Sequence, residues 1–135
     1  LIDYCMLYNS QNPYTIALIY PNKEAIKKYV RDHHHHVDIS TDEGRRVVLK
    51  LIEREVGEFK AGGKHSGLFP QRWIPAAIGI LEEGFTEENQ LLNSTMKLVR
   101  GKVVDRYQPL IDFLYTPEGK SIANTANVET LKKIV

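Results

Sequence analysis

Ile2-Asp3-Tyr4-Cys5-Met6-Leu7-Tyr8-Asn9-Ser10-Gln11-Asn12-Pro13-Tyr14-Thr15-Ile16-Ala17-Leu18-Ile19-Tyr20-Pro21-Asn22 contains two short apolar runs divided by a polar stretch of Asn, Ser, Gln and Pro. Tyr, Ile and Thr suit a pleated, half-buried surface, and Asn, Ser and Pro suit the turn between two such runs. The pattern predicts a β-hairpin from Ile2–Tyr8 and Tyr14–Tyr20. Pro21 ends the second strand, and Asn22 can cap a helix in which Ala25, Ile26, Tyr29 and Val30 share a face, ending near Arg31. A polar linker from Asp32 to Thr41 follows. After Asp42 the residues Val48, Leu51, Ile52, Glu55, Val56 and Phe59 recur at helical spacing until Gly62-Gly63.

A loop rich in Gly and Lys then leads to Trp73–Leu81, where Ile74, Ala76, Ile78 and Ile80 alternate. This segment predicts a third strand, weakened or pushed to an edge by Pro75 and Gly79. The span from Glu82 to Met96 is polar, interrupted by Leu91-Leu92, and is expected as an exposed loop of the kind that carries function. Val103, Val104, Tyr107, Leu110, Ile111 and Leu114 mark an amphipathic helix in which Pro109 must kink the axis or fall where its missing N–H does no harm. Thr116-Pro117-Glu118-Gly119 reads as a turn, and a tail helix from Val128 to Val135 is expected to start at an Asn127 cap. The expected fold class is α+β: a small, mainly three-stranded antiparallel sheet with helices packed on it.

Bulk composition narrows function by exclusion. A chain of 135 residues fits one domain. With 18 Lys+Arg against 17 Asp+Glu, the net charge of +1 provides no field to draw in nucleic acid or anionic lipid. The single Cys5 rules out an internal disulfide or a CxxC pair, so a reducing cytoplasm is the default compartment. No run approaches the roughly 20 apolar residues that span a bilayer. Beginning at Leu1 with a strand close behind, the chain is expected to be a piece of something longer.

Several constellations invite chemistry. The run His33 to His36 suggests a metal, yet consecutive side chains point in different directions, and no Cys or fixed-spacing partner completes a tetrahedral set; no metal ligand is assigned. Ala61-Gly62-Gly63-Lys64-His65-Ser66-Gly67 lacks the spacing and the Ser/Thr of a phosphate loop and follows a helix where a strand is required. Glu82-Glu83 and Glu87-Glu88 have nothing apolar nearby to raise a carboxyl pKa and are expected as solvated surface. Cys5 has no activating neighbour in sequence. Lys97 remains: a lysine at the end of a hydroxyl-bearing loop can reach a phosphate or carboxylate as a mobile point charge.

The segment Phe85-Thr86-Glu87-Glu88-Asn89-Gln90-Leu91-Leu92-Asn93-Ser94-Thr95-Met96-Lys97-Leu98-Val99-Arg100 resembles F-T-x-E-N-G-L-L-T-P-T-L-K-L-x-R of AMP-forming, long-chain acyl-CoA synthetases, with the lysine in register. Pro13–Asn22 is similar to the family's P-Y-x-x-A-L-I-V-P-N strand, and Lys102–Tyr115 to its R-x-x-I-x-x-x-Y-x-x-L-I-D-x-L-Y helix. The resemblance covers residues 1–115 and leaves 116–135 as a tail extension of a single C-terminal lid domain. It implies that a fatty acid, ATP and Mg2+ give acyl-adenylate and pyrophosphate, after which coenzyme A displaces AMP. Lys97 would serve the first step, contacting the carboxylate and the α-phosphate region, and would leave the site when the lid rotates. The nucleotide loop, the acyl tunnel and the hinge would belong to a large N-terminal domain of the same chain, so this piece alone is expected to be inactive. The location implied is the cytoplasm or the inner face of a membrane as a peripheral protein.

This sequence departs from the pattern at Gln90, where Gly is usual, at Asn93-Ser94, where Thr-Pro is usual, and at Val99, in a slot that is often basic. These departures motivate an alternative, a binding or regulatory module that keeps the fold without the chemistry. A metal-binding domain built on the histidines is a third reading.

Overall fold

The computed structural model describes residues 2–34, 37–58 and 74–134. Strand β1 (Ile2–Tyr8) and strand β2 (Ile16–Pro21) form the expected antiparallel hairpin, pairing Tyr4 with Tyr20 through Tyr8 with Ile16. Ser10 and Gln11 turn the chain at φ 45° and 65°, and the Asn12 amide group donates to the Asn9 carbonyl. Asn22 caps helix α1 (Lys23–His33), its side-chain oxygen accepting from the Ala25 N–H at 3.0 Å. The helix runs two residues past the expected end, which places His33 on its last turn. Thr41 caps helix α2 (Asp42–Gly57) in the same way, accepting from the Gly44 N–H at 3.1 Å. Any side chain at Gly44 would strike the Asp38 carbonyl, since a Cβ there would stand 2.1 Å from its oxygen.

Strand β3 is shorter than expected, Ala77–Ile80, with Pro75 just ahead of it and Trp73 outside the described residues. It lies at the sheet edge as Pro75 and Gly79 suggested, in the order β1-β2-β3, but it runs parallel to β2, pairing Ile16 with Ala77 through Ile19 with Ile80. The sheet is therefore mixed, antiparallel only in its hairpin. The reason is the connection: α1 and α2 intervene between β2 and β3, and a helical crossover returns the chain in the same direction.

The single amphipathic helix expected over Val103–Leu114 is two, α3 (Arg100–Arg106) and α4 (Gln108–Leu114), parted at Tyr107. Pro109 sits in the first turn of α4, where its lack of an N–H does no harm. The Thr116–Gly119 turn closes into a short helix α5 (Pro117–Lys120), capped by Thr116.

The tail helix starts earlier than expected, as α6 (Thr125–Ile134), and its capping side chain belongs to Asn124, which accepts from the Asn127 N–H at 2.8 Å. Asn127 is fully buried instead. Its carboxamide oxygen accepts from the Ile80 N–H at 2.9 Å, and its NH2 donates to the carbonyls of Ile78 at 2.8 Å and Ile122 at 3.0 Å. On the side of β3 away from β2, one side-chain amide thus stands where the peptide group of a further strand would be.

Both faces of β2 and β3 are covered, whereas β1 fully buries Met6 alone. Ala17, Ile19, Ile78 and Ile80 pack with α1, α2 and α6 through Ile26, Val30, Val48, Leu49, Ile52 and Leu131. On the opposite face Met6, Ile16, Leu18, Ala77 and Leu81 pack with α3, α4 and the loop between β3 and α3, through Val103, Ile111, Leu114, Phe85 and Leu91. That double cover explains why β2 reads as a continuous apolar run rather than an alternating one. Among the described residues, no helix is long and apolar enough to cross a membrane.

Candidate functional site

The loop carrying Lys97 is a built structure. Phe85 and Leu91 anchor it in the second core layer, each nearly inaccessible, with the Phe85 ring edge-on to Tyr4 at 5.5 Å. Between these anchors Thr86 and Asn89 satisfy each other. The Thr86 N–H donates to the Asn89 side-chain oxygen at 3.0 Å, the Asn89 N–H donates to the Thr86 hydroxyl at 3.1 Å, and the Asn89 amide group reaches the Gly84 carbonyl at 2.8 Å. Leu91-Leu92, which interrupts the polar stretch in sequence, is what holds that stretch to the body.

Gln90 follows at φ 66°. This is the position at which the related pattern carries Gly, and left-handed backbone is where Gly alone has no steric cost. Gln90→Gly is therefore expected to stabilise the fold. Relief of a strain of about 1–2 kcal/mol outweighs the roughly 0.5–1 kcal/mol that glycine's greater freedom costs when ordered, leaving a small net gain. Urea denaturation of the two chains checks this; an unchanged or lower midpoint for the Gly variant counts against it.

Beyond Leu92 the chain makes a tight hairpin closed by an antiparallel bridge from Leu92 to Leu98. Asn93 organises it. Its side-chain oxygen accepts from the Thr95 N–H at 2.9 Å, the Thr95 hydroxyl at 2.8 Å and the Lys97 N–H at 3.0 Å. Its own N–H donates to the Lys97 carbonyl at 2.9 Å. Met96, 65 % exposed, takes φ 63° so that the chain can turn back. The Val99 N–H then donates to the Leu91 carbonyl at 2.9 Å, and α3 begins at Arg100. The Arg100 guanidinium donates to the Leu7 carbonyl, fixing the exit of the loop to β1.

Lys97 is exposed on this hairpin, and its ammonium group has no hydrogen bond or ion pair among the described residues. The site is thus a hydrogen-bonded hairpin carrying a cation that is free among the described residues. The importance of Asn93 was not read from the sequence, although Asn followed two residues later by Thr is a known local turn signal.

The acidic residues divide. Glu83 pairs with Arg106 at the end of α3, and Glu82 stands 3.4 Å from Lys133 of α6, so both are partnered rather than simply solvated. Glu87 and Glu88 are exposed, as expected. Partly exposed pairs of this kind contribute little to stability. Cys5 lies exposed on β1, where partial desolvation by its neighbours raises the thiol pKa rather than lowering it.

The two described histidines of the run, His33 and His34, lie against one tyrosine ring. The His33 ring stacks on Tyr29 with centroids 4.2 Å apart, and His34 lies tilted to the same ring at 6.2 Å. Arg54 donates to the Tyr29 hydroxyl at 2.8 Å. His35, His36 and the Ala61–Gly67 segment lie outside the described residues. Among the described residues, no group of three or more His, Cys, Asp or Glu could hold a metal ion.

No family model matches the chain. It is 27% identical over 107 residues to fatty acyl-CoA synthetase A of Dictyostelium discoideum, covering 79% of this chain and 16% of that protein. It is 28% identical over 100 residues to the probable chloroplastic acyl-activating enzyme 16 of Arabidopsis thaliana, covering 73% of this chain and 13% of that protein. The chain thus spans only a small part of the curated relatives it matches. Among solved structures, it superposes with TM-score 0.57 on the A-PCP didomain of carboxylic acid reductase from Segniliparus rugosus in complex with AMP, at 24% identity over 85% of this chain and 14% of that one. The adenylation domain of a carboxylate reductase from Mycobacterium chelonae gives a TM-score of 0.52 at 24% identity, over 85% of this chain and 16% of that one. The chain thus shares its fold with a part of these two adenylation-domain structures, and the sequence relatives it matches are a fatty acyl-CoA synthetase and a probable acyl-activating enzyme.

Proposed function

We propose that this chain, residues 1–135, is the single mobile C-terminal domain of a long-chain-fatty-acid–CoA ligase and supplies its adenylation lysine, Lys97, with 116–135 as a tail beyond the family pattern. The observation that carries the reading is the ammonium of Lys97, unpartnered among the described residues and displayed on an anchored hairpin, at the place of the lysine in the synthetase pattern that the sequence resembles. A carboxylate and the α-phosphate of ATP repel each other, and a cation held between them lowers the cost of their meeting and of the charge that develops as the bond forms. The large N-terminal domain would hold ATP, Mg2+ and the acyl chain, because this chain offers no phosphate loop and no group of metal ligands among its described residues. The second half-reaction, with coenzyme A, needs no cation at that point, and rotation of a lid whose active residue sits on a rigid hairpin removes it without refolding. The protein would work in the cytoplasm or as a peripheral protein on the inner face of a membrane.

The test is fatty-acid-dependent exchange of labelled pyrophosphate into ATP by the full-length protein, across acids from acetate to stearate, followed by thioester formation with coenzyme A. Exchange that rises with chain length and leads to acyl-CoA is expected. Exchange with acetate alone would remove the long-chain assignment. Failure of every acid to support exchange would favour the alternative, a binding or regulatory module, to which the strained Gln90 and the altered Asn93-Ser94 pair lend support.

A further inference from the structure

We infer that Asn93 is the positioning residue for Lys97, setting where the lysine stem leaves the backbone and hence where its ammonium can reach; the inference rests on the adenylation role given to Lys97. A lysine stem has four flexible carbons, so its useful precision depends on the residue's backbone being fixed. Lys97 is held at both backbone groups by one residue: its N–H by the Asn93 side-chain oxygen at 3.0 Å, its carbonyl by the Asn93 N–H at 2.9 Å. The same oxygen takes the Thr95 N–H and hydroxyl, which keeps the intervening turn closed. Met96 stays at φ 63°, a conformation that persists only where its surroundings impose it, and the Asn93 bonds on either side of it do so.

The position is exposed, and the loop has separate anchors in Phe85, Leu91 and the Leu92–Leu98 bridge. Loss of the carboxamide should therefore loosen the hairpin without unfolding the domain. The related pattern carries Thr at this place. A hydroxyl on a shorter arm can take the amide two residues on, as in turns capped by Ser or Thr, but it does not extend to Lys97 as the Asn oxygen does. Asn93 is thus this chain's own solution to placing the lysine.

The experiment compares Asn93→Ala, Asn93→Thr, Lys97→Ala and the double variant Asn93→Ala/Lys97→Ala in the full-length protein. It uses the fatty acid that supports the fastest pyrophosphate exchange, and measures adenylation and, separately, thioester formation from supplied acyl-adenylate. Asn93→Ala is expected to lower kcat for adenylation by about 10- to 100-fold, the scale of a small misplacement of a reacting group, with KM for the acid and the thioester step little changed. Asn93→Thr should recover part of the loss. The double variant should be no slower than Lys97→Ala alone, because a residue acting only through Lys97 has nothing left to position. Amide exchange at Lys97 should speed up in Asn93→Ala, a readout independent of activity.

Additive losses in the double variant, equal losses in both half-reactions, or adenylation unchanged by Asn93→Ala while Lys97→Ala is defective would each overturn the inference and leave the role of Lys97 standing. Adenylation unaffected by Lys97→Ala, or no adenylation by the unaltered protein, would overturn both. Should Asn93→Ala melt early, Asn93→Thr alone decides: adenylation and Lys97 amide exchange both at unaltered levels would count against positioning by the carboxamide.

Discussion

Lys97→Ala in the full-length protein is expected to slow acyl-adenylate formation by about 10³-fold, the scale seen when a single group aimed at developing charge is removed. Thioester formation from supplied acyl-adenylate should stay within about twofold, since an interaction absent from a step's transition state cannot alter its rate. The expectation follows from what surrounds the side chain. Its ammonium is unpaired among the described residues, so removing it leaves no buried acidic partner behind and disturbs no packing. The two backbone bonds that Lys97 makes with Asn93 persist in the Ala variant, and the hairpin should keep its shape. A large, selective loss would therefore report chemistry rather than folding. Lys97→Arg should restore little of the rate: it keeps the charge but spreads it over a planar fork that does not fit the place of a compact ammonium. Equal damage to both half-reactions would contradict the assigned role.

The largest stability effect is expected at Asn127. Changing it to Ala removes the hydrogen bonds to the Ile80 N–H and to the Ile78 and Ile122 carbonyls, all in the interior. A buried backbone group left without a partner costs about 1–3 kcal/mol. With several orphaned together the loss should reach roughly 3–5 kcal/mol, a large share of the ~5–15 kcal/mol that holds a domain together. Asn127→Leu should do no better, because added apolar volume cannot satisfy the Ile80 N–H. Urea denaturation gives the measurement. A change below about 1 kcal/mol, the ordinary value for one solvent-compensated hydrogen bond, would mean that water replaces the carboxamide and that its contribution is small.

Much of the fold was legible because local chemistry and tertiary structure agree. The Asn, Ser and Pro turn, the Asn22 cap and the apolar faces of α1 and α2 act over a few residues, and the structure honours each. What the sequence could not disclose was pairing at a distance. Whether β3 runs with or against β2 depends on how α1 and α2 carry the chain over the sheet, and nothing in Ala77–Ile80 records it. Asn127 was misread for a related reason. Asn near the start of a helix signals a cap, and Asn124 and Asn127 both qualify and are both buried, but only the position of β3 decides which one bonds to the strand. The helix over 100–114 shows one apolar stripe because α3 and α4 face the same core layer, and Pro109 marked the break to within two residues.

The candidate site was legible in a different sense. By composition Lys97 is one loop lysine among others, and only its register within a longer pattern set it apart. The geometry shows what two of the departures from that pattern do. Gln90 occupies a backbone conformation suited to Gly, and Asn93 takes over, with a longer arm, the turn that Thr-Pro would stiffen. Neither fact is available without the dihedral angles.

The Asn127 carboxamide has a consequence for self-association. A terminal strand with open peptide groups is a template on which another copy of the chain can add and polymerise. By occupying the Ile78 carbonyl and the Ile80 N–H, α6 blunts that template, so intermolecular growth of the sheet is left to the β1 side, where Tyr4 and Leu7 are exposed. Loss of the tail helix would therefore open this edge while also taking Leu131 out of the core, and is expected to show itself as precipitation.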